Sequence, residues 1–214
     1  MTIYLLSGLG VDKSVFQFIQ FPAESNIEFL DWIEPQKDED LQSYARRIAE
    51  KVKRDEPFLL IGLSFGGMVA CEMQEILKPK KTILISSVCR RQELPRLYRL
   101  AGNLHLLRLM PSKHLLKPNR LLYWLFGIKK EKDRKHLKEI LVNTNPGFSK
   151  WAMTQIVNWK REKITEGIIR IHGDSDRVLP INHFEPKYRI VDGGHFMIVT
   201  HSSEISKILD SEFN

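Results

Sequence analysis

The stretch "FLLIGLSFGGMVACEMQ" (residues 58–74) opens as an unbroken apolar run, sets three glycines around Ser64, and closes with apolar residues at helical spacing. Glycines at positions 62 and 66 flank the serine at two residues on either side. A strand that turns sharply into a helix needs that spacing, because a Cβ at either position collides with the neighbouring strand or helix. The pattern G-x-S-x-G between a strand and a helix lifts a serine hydroxyl above the end of the sheet. The helix starting near Gly67 points its first backbone amides at the same spot, which suits a developing negative charge.

Outward from this stretch, short β-rich runs alternate with helical patterns. The runs are "IYLLSG" (3–8), "IEFLDW" (27–32), "PFLLIGLS" (57–64), "KTILISS" (81–87), "GIIRIHG" (167–173) and "KYRIVDGG" (187–194). The third to fifth are nearly continuous in Ile, Leu and Val, as strands covered on both faces are. Helical patterns at 40–54 and 67–78 lie between them. The alternation predicts an α/β fold, a mostly parallel six-stranded sheet with helices on both faces. Residues 1–87 and 166–214 form this core, and residues 88–165 break its rhythm with several helical segments, the last opened by Asn145-Pro146. A helical insertion there is expected to cap the substrate site.

At 214 residues the chain is sized for one domain with a real core. Apolar residues make up 43% and charged residues 28%, and no apolar stretch approaches the ~20 residues that cross a bilayer. "MTIYLLSGLG" has neither a basic start nor a small-residue cleavage site, so no secretory signal is expected. Cys71 and Cys89 show neither metal spacing nor a disulfide framework, and read as small buried hydrophobes in a reducing cytoplasm. No metal and no cofactor is expected. The net charge of +7 is unevenly spread: residues 88–165 hold 18 Lys and Arg against 5 Asp and Glu, a net of +13, and the rest carries −6. That asymmetry speaks of substrates and partners. Nucleic acid is not expected among them, since no recognition module or stacking motif accompanies the charge.

Two later segments complete a constellation with Ser64. In "IIRIHGDSDRVLP" carboxylates at Asp174 and Asp176 follow a buried strand, and in "YRIVDGGHFMI" His195 follows another. All three positions fall on one rim of a parallel sheet. A serine hydroxyl attacks well only when an imidazole takes its proton, and the imidazole needs a carboxylate to fix its tautomer.

With "SGLG", "GLSFGG", "HGDSDRVLP" and "GGHF" in this order, nearly the whole chain resembles the α/β-hydrolase fold superfamily. The resemblance implies Ser64 as nucleophile, Asp176 as acid and His195 as base, with the backbone amides of Leu9 and Phe65 forming the oxyanion hole. It places the acid at Asp176, between Gly173 and Pro180, and makes Asp174 the weaker candidate. Two departures stand out: Ser7-Gly8 replaces the usual His-Gly, and the usual first two strands are missing. His172 reads as a strand-end hydrogen-bonder, Asp192 as a brace for the loop carrying His195, and the run at 129–136 as a solvated helix face.

Substrate choice is expected in the insertion. The run "LLYWLFGI" (121–128), Trp124 within it, together with Phe148, Trp151, Ile156 and Trp159 at helical spacing, either lines an apolar acyl pocket or cements the insertion to the core. The expected activity is a cytoplasmic serine hydrolase acting on an ester or thioester, its small-molecule acyl substrate anionic or carrier-bound. The same three residues also serve C–C bond hydrolysis, lyase-type elimination or perhydrolysis in this fold, and a non-catalytic binder is the alternative from another class.

Overall fold

The computed structural model describes residues 1–104, 118–142 and 145–213. Its strands are β1 (Thr2–Leu6), β2 (Asn26–Phe29), β3 (Phe58–Leu63), β4 (Lys81–Ile85), β5 (Ile168–Gly173) and β6 (Tyr188–Ile190). They form one sheet in the order β2-β1-β3-β4-β5-β6. All five pairings are parallel, so the sheet expected to be mostly parallel is parallel throughout. The helices are α1 (Leu41–Ala49), α2 (Phe65–Leu77), α3 (Arg96–Asn103), α4 (Arg120–Leu125), α5 (Glu131–Val142), α6 (Pro146–Asn158), α7 (Met197–Thr200) and α8 (Ser202–Phe213). None of the described helices is long and apolar enough to cross a membrane.

Alternation along the strands builds two cores. Tyr4, Leu6, Phe58, Leu60 and Leu84 point to the face covered by α1 and α2, where Tyr44, Ile48, Met68 and Met73 meet them. Ile3, Leu5, Leu59, Ile61, Ile83 and Ile85 point to the other face, against Val15, Phe16, Ile198 and Leu209. All six residues of β3 are buried, which accounts for its run of apolar side chains.

The helices between β4 and β5 join both cores. Phe148 and Ala152 of α6 enter the first, while Leu137 and Ile140 of α5 enter the second. Buried polar contacts fix the base of this insertion: Trp159 Nε1 donates to Glu72 Oε1 at 2.8 Å, and Arg91 donates to the carbonyls of Val157 and Trp159. The run at 129–136 faces solvent except for Asp133 and the half-buried His136. One of the helical segments of the insertion, "ELPRLYRLAGNLHLLRLM" (93–110), is described only as far as Leu104, and its part from His105 lies outside the described residues.

β1 lies between β2 and β3, so the chain leaves β1 in one direction and resumes on its other side. Ligands of open α/β sheets lie beyond the carboxyl ends of the strands at such a reversal. The loop after β1 and the turn after β3 meet there.

Candidate active site

Ser64 sits on the turn between β3 and α2 with φ 51° and ψ −116°, a conformation that costs an L-residue on the order of 1–3 kcal/mol. The surroundings hold it in place. Its amide donates to the Ile85 carbonyl at 2.9 Å, and its carbonyl accepts from Ser87 Oγ at 2.6 Å. The glycines act as the spacing predicts. A Cβ on Gly62 would lie 2.5 Å from the Gly66 carbonyl oxygen, and one on Gly66 would lie 2.3 Å from that of Ser7.

His195 follows β6, and its Nε2 lies 2.9 Å from Ser64 Oγ. Its Nδ1 lies 2.8 Å from Asp176 Oδ2, so Nδ1 carries the proton and Nε2 is free to accept one from the serine. Asp176 Oδ1 accepts from the amides of Val178 and Leu179, each at 2.8 Å. Burial pushes the Asp176 carboxyl up, but His195 and His172 outweigh burial and hold it well below the usual carboxylate range. The structure thus brings Ser64, His195 and Asp176 into one hydrogen-bonded line.

Asp174, the weaker candidate for the acid, meets Asp192, the expected brace, beside the site. Asp174 Oδ1 accepts from the Asp192 amide at 2.9 Å, so the carboxylate of Asp174 braces the loop and Asp192 contributes its backbone, at φ 56°. The two loops nearly touch: a Cβ on Gly173 would lie 2.0 Å from the Gly193 carbonyl oxygen. His201 Nδ1 pairs with the Thr200 hydroxyl at 2.9 Å.

Leu9 lies in the loop after β1, and a Cβ on the adjacent Gly8 would be 3.5 Å from Ser64 Cβ. Phe65 opens α2, where an amide has no carbonyl one turn back to bond. Phe65 thus follows Ser64 directly in the chain, and the loop that carries Leu9 passes Ser64 at Gly8. Ser7 contributes its carbonyl to the contact with Gly66, and its hydroxyl makes no hydrogen bond among the described residues.

The aromatic side chains sort by position. Trp151 stacks on Tyr44 at 4.4 Å and donates from Nε1 to the Glu39 carbonyl, while Trp159 is buried on Glu72. Both cement the insertion to the core. Trp124 is 56% exposed, with the Arg177 guanidinium over its ring at 4.7 Å. Phe126, two residues on, meets the His195 ring edge-on at 5.2 Å, and its carbonyl accepts from the Phe196 amide. Tyr98 of α3 was not singled out in the sequence. Burial first, and then the charge of Asp176, push its hydroxyl up. Phe126 belongs to the apolar run 121–128, whereas nothing local marks Tyr98, which the insertion delivers through tertiary packing.

A cavity of about 260 Å³ opens beside the loop after β1, with Ser7, Val11, Trp32, Ile33 and Phe148 in its lining. Trp32 Nε1 is buried there without a partner among the described residues. A larger groove of about 1270 Å³ runs between α1 and α6, and its described lining contains none of Ser64, Asp176 and His195. The described lining of the smaller cavity contains none of the three either, and approaches them through Ser7 of the loop after β1.

No protein-family model matches the chain, and no curated protein does. Solved structures do. A lipase-esterase related protein from Clostridium acetobutylicum superposes with TM-score 0.71 at 15% identity, over 98% of this chain and 93% of that one. An esterase from Thermogutta terrifontis gives 0.72 at 12%, over 100% and 89%. MenH from S. aureus gives 0.70 at 15%, over 100% and 95%. The chain has the α/β-hydrolase fold. At such identities the likeness is one of architecture, and the chemistry rests on the side chains around Ser64.

Proposed function

We propose that this α/β-hydrolase is a serine hydrolase that cleaves a carboxylic ester or thioester through an acyl-enzyme. The line from Ser64 Oγ through His195 to Asp176, at 2.9 and 2.8 Å, carries the reading. Ser64 attacks the carbonyl while His195 Nε2 takes its proton, then returns it to the departing alcohol or thiol. Water deacylates Ser64 by the same route. Asp176 stays ionised and orients His195. The amides of Leu9 and Phe65 receive the oxyanion, and each such donor is worth about 3–4 kcal/mol in the transition state.

Residues 88–165 act as the cap. Phe126 and Tyr98 lie on its inner side, and its net charge of +13 favours an anionic or carrier-bound acyl substrate. Two buried free thiols, Cys71 and Cys89, support a reducing, cytoplasmic setting.

A fluorophosphonate probe and a panel of p-nitrophenyl esters and acyl thioesters test this reading. Wild-type protein is expected to be labelled at Ser64. Ser64→Ala loses labelling and about 10⁴- to 10⁶-fold in turnover, with the melting temperature undiminished. Labelling elsewhere, or none on folded protein, overturns it and favours the ligand-binding alternative.

A further inference from the structure

We propose that His172 is a positioning residue for this chemistry, its Nε2–H fixing the Asp176 carboxylate that orients His195; the inference rests on the proposed serine hydrolysis. His172 is the penultimate residue of β5 and is wholly buried. Its Nε2 lies 2.8 Å from the Leu179 carbonyl oxygen and 3.1 Å from Asp176 Oδ2. A carbonyl and an ionised carboxylate can only accept, so Nε2 carries the hydrogen. Nδ1 is buried with no partner among the described residues. A proton there would be an unpaired buried donor, which costs more than an empty lone pair, so the neutral Nε2–H tautomer is selected. The Phe184 ring seats the imidazole edge-on at 5.1 Å.

Four groups therefore surround the Asp176 carboxylate: two amides hydrogen-bonded to Oδ1, His195 hydrogen-bonded to Oδ2, and His172 Nε2 at 3.1 Å from Oδ2. No rotation of the carboxylate keeps all four, so its plane is locked. Other charged and titratable groups nearby are engaged differently. Tyr98 reaches Asp176 from α3 only through its field. Arg177 turns to Trp124, and Arg170 pairs with Glu93 and stacks on Phe184. Because His172 draws charge from Oδ2, Asp176 attracts the His195 imidazolium less than a bare carboxylate would. Without the Nε2–H donor, the balance between Asp176 and His195 changes, so the acid limb of the rate profile and the turnover are both expected to respond.

His172→Phe keeps a ring and removes the donor, while His172→Gln places an amide N–H near the same point. In His172→Phe the acid limb of kcat/KM is expected to move up by about half a unit to one unit. Its kcat is expected to fall roughly tenfold, the scale of one hydrogen bond to a charged group, with KM unchanged. His172→Gln is expected to restore both. A folded His172→Phe with the wild-type profile, or equal losses in both variants, overturns the proposal. Histidine ¹⁵N shifts on wild-type protein need no substrate and no variant: His172 is expected as a fixed Nε2–H tautomer, and an Nδ1–H tautomer overturns the assignment. Failure of the hydrolase reading shows separately, as wild-type protein that neither labels at Ser64 nor turns over any ester.

Discussion

A serine at φ 51° survives only where its neighbours leave no alternative, and the crowding around Ser64 is backbone on backbone. A Cβ on Gly66 would lie 2.3 and 2.5 Å from the carbonyl oxygens of Ser7 and Leu6, and neither can rotate away as a side chain can. Gly66→Ala is therefore expected to destabilise by about 1–3 kcal/mol or more and to push the loop after β1 off the serine. Thermal melts and fluorophosphonate labelling check it, and an alanine variant that melts and labels like wild type removes the packing argument. Ser64 and His195 stand out in the sequence because each follows a strand beside glycines, whereas the choice of Asp176 over Asp174 is what the α/β-hydrolase resemblance implies, since both follow β5 within three residues of Gly173. Asp174 and Asp192 were not separable in that way. Both are carboxylates at a strand end, and only the fold shows which one reaches across to the other's amide.

Strands buried on both faces announce themselves by composition, and β3, β4 and β5 were legible for that reason. The C-terminal helix depends on a contact that no local pattern contains. Glu212 of α8 is 5% exposed and accepts from Lys187 at 2.5 Å, Tyr188 at 2.6 Å and Lys81 at 3.2 Å, which joins the helix to the starts of β4 and β6. Burial pushes its carboxyl up, and the hydrogen bonds from Lys187, Tyr188 and Lys81 outweigh burial and hold it down at about 2, below its ordinary value of 4.5. A carboxylate depressed in the folded state stabilises above its unfolded pKa, and that contribution fades as pH falls through the folded one. Glu212→Gln is expected to lower the melting temperature at pH 6, with the gap to wild type closing between about pH 4.5 and about pH 2. Melts across that range decide it, and a gap independent of pH would assign the loss to packing alone.

Across the whole molecule, a segment of net charge +13 is set on a remainder of −6, with its helices joined to both cores beside the line of Ser64, His195 and Asp176. Charge concentrated near one rim guides an oppositely charged substrate over distances comparable to the Debye length, about 10 Å in 0.1 M salt. The charge imbalance was legible in the sequence, whereas its consequence depends on where the insertion sits. An anionic acyl ester is expected to lose about three- to tenfold in kcat/KM between low and high salt, while a neutral ester of equal chain length changes less than about twofold. Lys129, Lys130, Lys132 and Lys135 are all exposed, so replacing them with glutamate should reduce the salt response of the anionic ester without touching the neutral one. If both esters respond alike in wild type, the positive field selects nothing and the substrate is chosen by the rings and the cavity near the strand ends. A response confined to the anionic ester, and abolished by the four glutamates, would place selection in the insertion and leave bond cleavage to the core.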